Sequence, residues 1–260
     1  MQDNVGSKTT MLMKRVNLFC LPFAGGTAAV FKTLPESLGV IARMVALELP
    51  GRGVRETEAP AATVDAMVAD ISARIDAEGS SPYAIFGYGL GARLAYLAAC
   101  RRRDEGSPAP VLLILAGEGP PEVTPWRSDL SNLPEKEFLR EVVAAGAYPE
   151  ELLKLTPRMA ETEGPFIRAD IRAFDRFDPP NPEPLSCPIL SILANRDMVT
   201  KAEASRWSRR TTGHFEVKII PGTSFFFLKN MAALGKAIYD SLKAVVPSEA
   251  AESAETQPSG

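Results

Sequence analysis

The sequence predicts an α/β fold with a mostly parallel, doubly wound sheet and a helical insertion. Short runs rich in apolar and β-branched residues recur along the 260 residues. Helical patterns separate these runs, and one stretch between residues 117 and 186 carries helices without a strand pattern. Apolar strands that alternate with helices are typical of a parallel sheet covered on both faces.

The predicted strands read as largely continuous apolar runs. This pattern indicates strands that are buried on both faces of the sheet. We expect strands at Val16–Leu21, Met44–Leu49, Tyr83–Gly87, Val111–Ala116, Ile189–Ala194 and Phe215–Ile220.

The predicted helices have apolar residues three or four positions apart, which places those residues on one helix face. In the first of them, Val64, Met67 and Ile71 share a face. Outside the insertion, we expect helices at Val64–Ile75, Leu90–Arg102, Lys201–Arg210 and Met231–Val245.

The insertion, at about residues 118–186, follows the carboxyl end of a strand. Ligands bind at this edge of open α/β sheets, so we predict that the insertion is a lid. The alternative is a helical buttress that is unconnected with any site. Within the insertion, we expect helices at Pro134–Ala145, Glu150–Leu155 and Arg158–Phe177.

Composition and chain ends predict one cytoplasmic domain at 15–246. The leader, 1–14, lacks the basic start and apolar core of a signal peptide, and we expect it to be flexible. The tail, 247–260, has no large apolar residue and should be disordered. No apolar run is long enough to cross a bilayer. The net charge of −3 argues against a nucleic-acid partner.

The counts of cysteine and histidine argue against a metal site or another cofactor. The chain has three scattered cysteines, without a CxxC pair, and a single histidine, His214. A zinc knot needs paired ligands, and a multi-His site needs more than one histidine. We therefore expect no metal and no cofactor.

A glycine-rich turn follows the third predicted strand. The sequence Gly87–Tyr88–Gly89–Leu90–Gly91 lies between a strand and a helix. Strand, sharp turn and helix, with glycines two positions on either side of the centre, form the frame of a nucleophile elbow, G-x-S-x-G. Here the central residue is Gly89, which has no nucleophile.

Several motifs, in the same order, resemble the type II thioesterases of polyketide and non-ribosomal peptide pathways. That family belongs to the α/β-hydrolase superfamily, so the resemblance implies an α/β-hydrolase fold. The motifs are LFCLPFAGG at Leu18–Gly26, ALELPGRGVR at Ala46–Arg55, FGYGLGARLAY at Phe86–Tyr96, the stretch Leu133–Leu153, IRADIRAF at Ile167–Phe174, LANRDMV at Leu193–Val199 and PGTSFFFL at Pro221–Leu228.

The resemblance implies a catalytic triad that is mostly absent. Gly89 occupies the serine position, and Asp197 is retained at the aspartate position. The histidine position falls on Ser224 when counted from Pro221–Gly222, and on Phe225 when counted back from Leu228.

Backbone groups of the implied oxyanion hole need no particular side chain. The resemblance places them in the loop that contains Phe23 and Ala24 and at the amide of Leu90. We therefore expect the oxyanion hole to be preserved.

Three other residues are weak substitutes for the missing pair. His214 precedes the last predicted strand and should lie at the opposite edge of the sheet, as a surface residue. Cys20 lies within a strand, where a packed core thiol is expected. Ser224 has no obvious base beside it, so its hydroxyl should remain a weak nucleophile.

The resemblance, taken with these substitutions, implies a protein of natural-product (antibiotic) biosynthesis that has lost its hydrolytic pair. The favoured hypothesis is a tailoring enzyme, either an epimerase or isomerase, a cyclase or a lyase, that acts next to a carbonyl. Asp197, Tyr88 and Ser224 are its candidate catalytic residues, and Glu118 is a candidate substrate-binding residue. The substrate would be a peptide or polyketide intermediate, free or bound to a carrier protein.

Two other functions stay open. The first is a non-catalytic protein that binds an intermediate or docks on a synthase. The second is a residual acyl-thioester hydrolase. Each candidate residue also has a purely structural alternative. Asp197 would cap the following helix or bond local backbone, Tyr88 would pack at the turn, and Glu118 would be a solvated loop residue.

Overall fold

The computed structural model describes residues 15–34, 36–79, 82–123, 129–144, 157–178, 181–226 and 230–246. The predicted flexible leader and disordered tail lie outside these residues. So does the helix predicted at Glu150–Leu155.

A six-stranded sheet organises the described part of the chain. Its strand order is β2-β1-β3-β4-β5-β6, and each neighbouring pair is parallel. Every residue of β1, β3 and β4 is buried, which requires cover on both faces. The strands are β1 Val16–Leu21, β2 Ala42–Ala46, β3 Tyr83–Tyr88, β4 Leu112–Ala116, β5 Ile189–Arg196 and β6 Phe215–Thr223.

Helices fill the connections between the strands. The first one starts where the Thr63 side chain accepts a hydrogen bond from the Ala66 amide at 3.2 Å, an N-cap that satisfies an otherwise unpaired donor. The helices are α1 Val64–Ala77, α2 Leu90–Asp104, α3 Glu135–Ala144, α4 Pro157–Asp175, α5 Lys201–Ala204 and α6 Met231–Val245.

Two predicted elements need correction. The strand expected at Met44–Leu49 is β2, which starts two residues earlier and ends three residues earlier than predicted. The prediction ran too far because Leu47 and Leu49 are buried although they belong to the loop after the strand. The helix expected at Lys201–Arg210 is a single α-turn, α5, followed by a 3-10 helix at Ser205–Arg210.

The insertion between β4 and β5 contains α3 and α4. The helices predicted at Pro134–Ala145 and Arg158–Phe177 therefore exist, within one or two residues at each end. Among the described residues, no helix combines the length and apolar character needed to cross a bilayer.

Candidate active site

The sheet order itself indicates where a ligand would bind. From β1 the chain moves to β2 on one side and then returns to β3 on the other. In open α/β sheets, ligands bind at such a switch point, outside the carboxyl ends of the strands. The loop with Phe23 and Ala24 follows β1, and Gly89 follows β3, so both lie at this point.

The turn at Gly89 has the backbone geometry of a nucleophile elbow. Gly89 has φ +55° and ψ −126°, a conformation that L side chains rarely adopt. Its amide donates to the Ala116 carbonyl at 2.8 Å. A Cβ on Gly87 or Gly91 would strike neighbouring backbone, which explains both flanking glycines. The predicted frame is therefore present, with no side chain at its centre.

One of the two expected oxyanion donors belongs to this turn, and the other to the loop beside it. The Leu90 amide is the first of α2, where helix amides lack an intrahelical partner and favour negative charge. The Gly26 amide donates to the Phe23 carbonyl at 2.9 Å, and this bond closes a tight turn around Ala24. A Cβ added to Gly89 would lie 3.3 Å from the Phe23 Cβ, so this loop adjoins the elbow.

Asp197 and Ser224 meet at the same edge, after β5 and β6. The Ser224 hydroxyl donates to the Asp197 carboxylate at 2.9 Å and accepts from the Met198 amide at 3.1 Å. Of the two residues that counting left open for the histidine position, Ser224 is therefore the one that bonds Asp197.

The Asp197 carboxylate also accepts from local backbone, at 3.0 Å from the Ala194 amide and 2.9 Å from the Met198 amide. The local-backbone alternative for Asp197 is thus present in the structure, whereas the helix-cap alternative is wrong. Thr200 caps α5, in a capping box with Glu203.

Tyr88 is buried beside this pair, and its hydroxyl donates to the Ser224 carbonyl. Burial, and secondly the negative charge of Asp197, raise the pKa of the Tyr88 phenol well above its ordinary value. A buried phenol that donates this hydrogen bond fits the packing alternative, and a catalytic role for Tyr88 stays a prediction.

Glu118 is buried, so the prediction of a solvated loop residue is wrong. Its carboxylate forms an ion pair with Arg93 of α2 at 3.1 Å and accepts from the Gly119 amide at 3.0 Å. Its carbonyl accepts from the Trp207 indole at 3.0 Å. Burial raises the pKa of Glu118, and the Arg93 charge opposes that effect. These contacts fix the strand end to the elbow helix; substrate binding by Glu118 stays a prediction.

The two other candidates, His214 and Cys20, lie away from Asp197 in the sheet. His214 is exposed and precedes β6, whereas Ser224 follows that strand. Cys20 is fully buried within β1, and burial strongly raises the pKa of its thiol. A thiol with a raised pKa is a poor nucleophile.

A buried ion pair that the sequence analysis did not identify connects the insertion to the site. Arg52, in the loop after β2, donates both terminal nitrogens to Asp170 of α4, at 2.7 and 2.6 Å. The same carboxylate accepts from the Gly25 amide at 2.7 Å, one residue after Ala24. Gly25 has φ +71°, and an added Cβ there would strike Ile167 of α4. The insertion therefore holds the loop that contains Phe23 and Ala24 in place.

A signal for this pair was present in the sequence. Ile167, Asp170 and Ile171 share one face of α4, so a carboxylate lies among core positions. A charge in such a position needs a partner. Among the described residues, no group of three His, Cys, Asp or Glu side chains is arranged to hold a metal ion.

Comparison with known proteins decides the family. The model of the thioesterase domain matches residues 16–242. The chain belongs to the thioesterase family. The predicted resemblance is thereby confirmed.

Relatives of this thioesterase-family chain also confirm the α/β-hydrolase fold. The gramicidin S biosynthesis protein GrsT of Aneurinibacillus migulanus is 28% identical over 217 residues, which cover 83% of this chain and 84% of GrsT. The structure of RedJ, a thioesterase from the prodiginine pathway of Streptomyces coelicolor, is 30% identical with a TM-score of 0.76 and covers 85% of both chains. ClbQ, from the colibactin NRPS/PKS pathway, is 25% identical with a TM-score of 0.80 and covers 89% of this chain and 98% of its own.

Proposed function

We propose that the protein binds the acyl or peptidyl part of a natural-product intermediate without hydrolysing it through a covalent acyl-enzyme. One observation carries this proposal: the elbow at Gly89 keeps its strained conformation but has no side chain to attack a carbonyl. The names of GrsT, RedJ and ClbQ connect those relatives with natural-product pathways, which supports a carrier-bound or free intermediate of such a pathway as the ligand.

The residue that bonds Asp197 supports the same proposal. A serine nucleophile needs a base to take its proton, and that base is in turn oriented by a carboxylate. Here the carboxylate bonds the Ser224 hydroxyl, which cannot act as that base at neutral pH. Loss of a serine–histidine pair costs on the order of 10⁶ in rate in a comparable hydrolase. The oxyanion donors alone leave roughly 10³–10⁴ over water.

The proposal predicts saturable binding without ordinary turnover. A butyryl-pantetheine analogue with an amide in place of the thioester should bind in calorimetric titration. The true thioester should release thiol far more slowly than the roughly 1 s⁻¹ or more of typical enzymes. Thiol release at such ordinary rates would contradict the proposal and support a thioesterase.

A matched pair of variants locates the binding. Gly89→Leu places a side chain over the elbow and should abolish binding of the analogue. Gly106→Leu adds the same side chain at another glycine of positive φ, +73°, which faces open space, so it should bind as the wild type does. Equal binding by both variants would place the ligand elsewhere.

A second candidate function is proton transfer next to the bound carbonyl, as an epimerase, cyclase or lyase performs. The half-buried Asp197 carboxylate favours it, because a carboxylate near an oxyanion hole can take an acidic α-proton. The enolate oxygen would then lie at the Leu90 amide. This candidate predicts that the protein catalyses deuterium incorporation at the α-carbon of butyryl-pantetheine in D₂O, and that Asp197→Asn abolishes it. Absence of label with the wild-type protein would leave binding as the function.

A further inference from the structure

Within the described residues, the groups that donate hydrogen bonds to the Asp197 carboxylate are all neutral. The hydrogen bonds to its carboxylate come from the Ala194 and Met198 amides and the Ser224 hydroxyl. In a working triad, the same carboxylate faces an imidazole that becomes positively charged. Among the residues that the structure describes, no lysine, arginine or histidine forms an ion pair with Asp197, and its carboxylate is half-buried rather than fully solvated.

Aromatic rings surround the elbow and the Ser224 turn. The Phe23 ring forms T-shaped contacts with Phe225, at 5.4 Å between ring centroids, and with Tyr88, at 6.4 Å. Tyr88 and Phe225 lie 6.3 Å from each other. Phe23 is the half-buried member of this cluster, whereas Tyr88 and Phe225 are buried. Aromatic faces attract cations and give anions no comparable stabilisation.

The nearby Glu118 differs from Asp197 because a cation neutralises its charge. Its carboxylate is paired with the Arg93 guanidinium, inside the protein. Of these two carboxylates, Asp197 is therefore the one that the described residues leave without a cation, and it bonds Ser224, the sequence neighbour of Phe225 in the aromatic cluster.

We propose that the cleft selects acyl groups that carry a positively charged amine, as aminoacyl and peptidyl intermediates do, over neutral acyl groups of the same shape. The ammonium would interact with the Asp197 carboxylate and the face of Phe23. This inference rests on the proposed acyl-binding function and specifies its substrate class.

Matched ligands test the preference directly. One pair of pantetheine amides carries leucyl or 4-methylpentanoyl, which differ by an α-ammonium. The other carries 6-aminohexanoyl or heptanoyl, which differ by a terminal ammonium. Calorimetry at a pH of about 6.5, where these amines are charged, should show tighter binding of the ammonium ligand in at least one pair, by on the order of tenfold.

Variants assign the preference to its residues. Asp197→Asn should remove it, so that the charged and the neutral ligand of each pair bind with similar affinity. Glu216→Gln makes the same charge change near the start of β6, away from Ser224, and should retain it. Phe23→Leu keeps an apolar side chain without a ring and should reduce the preference several-fold, which tests the inference even if Asp197→Asn fails to fold.

The outcomes separate the two proposals. Equal or tighter binding of the neutral ligands in both pairs overturns the charge preference and leaves acyl binding standing. A preference that survives Asp197→Asn also overturns it. If no ligand of either kind binds, the proposed function fails and this inference fails with it.

Discussion

The double substitution Gly89→Ser with Ser224→His is expected to raise hydrolysis of butyryl-pantetheine thioester by at least roughly 10³-fold, out of the 10⁶ or so that such a pair contributes. The elbow already has the required backbone conformation at φ +55°. A Cβ at Gly89 would meet the Phe23 Cβ at 3.3 Å, a contact that a small shift of Phe23 relieves. Because the Ser224 hydroxyl lies 2.9 Å from Asp197, an imidazole at this position can take over that bond.

The control for this experiment is Gly89→Ala with Ser224→His. It introduces the same Cβ, the same strain of about 1–3 kcal/mol at a positive φ and the same imidazole, but no hydroxyl. Thiol release by the control should stay at the wild-type rate, while its melting temperature should fall as much as that of the serine variant. Equal thiol release by the two variants would mean that the cleft has diverged beyond the two substituted positions, for example in the aromatic cluster around Phe23.

The central part of the fold was predictable because it depends on local pattern. In β1, β3 and β4, mostly apolar runs correspond to strands buried on both faces. The edge strand β2 was less predictable. It contains exposed Arg43 and Met44, while the buried Leu47 and Leu49 belong to the loop that follows. The hydrophobicity of a segment indicates which residues are buried. At a sheet edge, the buried residues are not always the ones that form the strand.

The candidate site was predictable where sequence spacing fixes geometry. The glycines around Gly89 determine the elbow, and Asp197 follows a strand whose end is easily located. Contacts between distant parts of the chain were not predictable. Nothing near Glu118 in the sequence identifies Arg93 as its partner, and Arg52 lies 118 positions from Asp170. Such pairs depend on how the insertion packs, which no local pattern specifies.

Asp170→Asn is expected to lower the free energy of unfolding by about 3–5 kcal/mol, the usual cost of removing one partner of a buried ion pair. The Arg52 and Asp170 side chains are 3% and 2% exposed, so water cannot replace the lost carboxylate. Urea denaturation should show the loss, whereas Asp240→Asn, which removes a carboxylate from the exposed pair with Lys236, should leave stability nearly unchanged.

The paired substitution Arg52→Met with Asp170→Leu separates charge from packing. Because it removes both charges and keeps apolar volume, it should lose less stability than Asp170→Asn alone. The double variant also loses the acceptor for the Gly25 amide, which lies next to Ala24 in the loop after β1, whereas Asp170→Asn keeps one side-chain oxygen that can accept this bond. The double variant should therefore bind the butyryl-pantetheine amide more weakly than the wild type, even where it is more stable than Asp170→Asn. If the double variant instead binds the ligand normally, the carboxylate on α4 stabilises the fold without setting the loop that receives the acyl carbonyl.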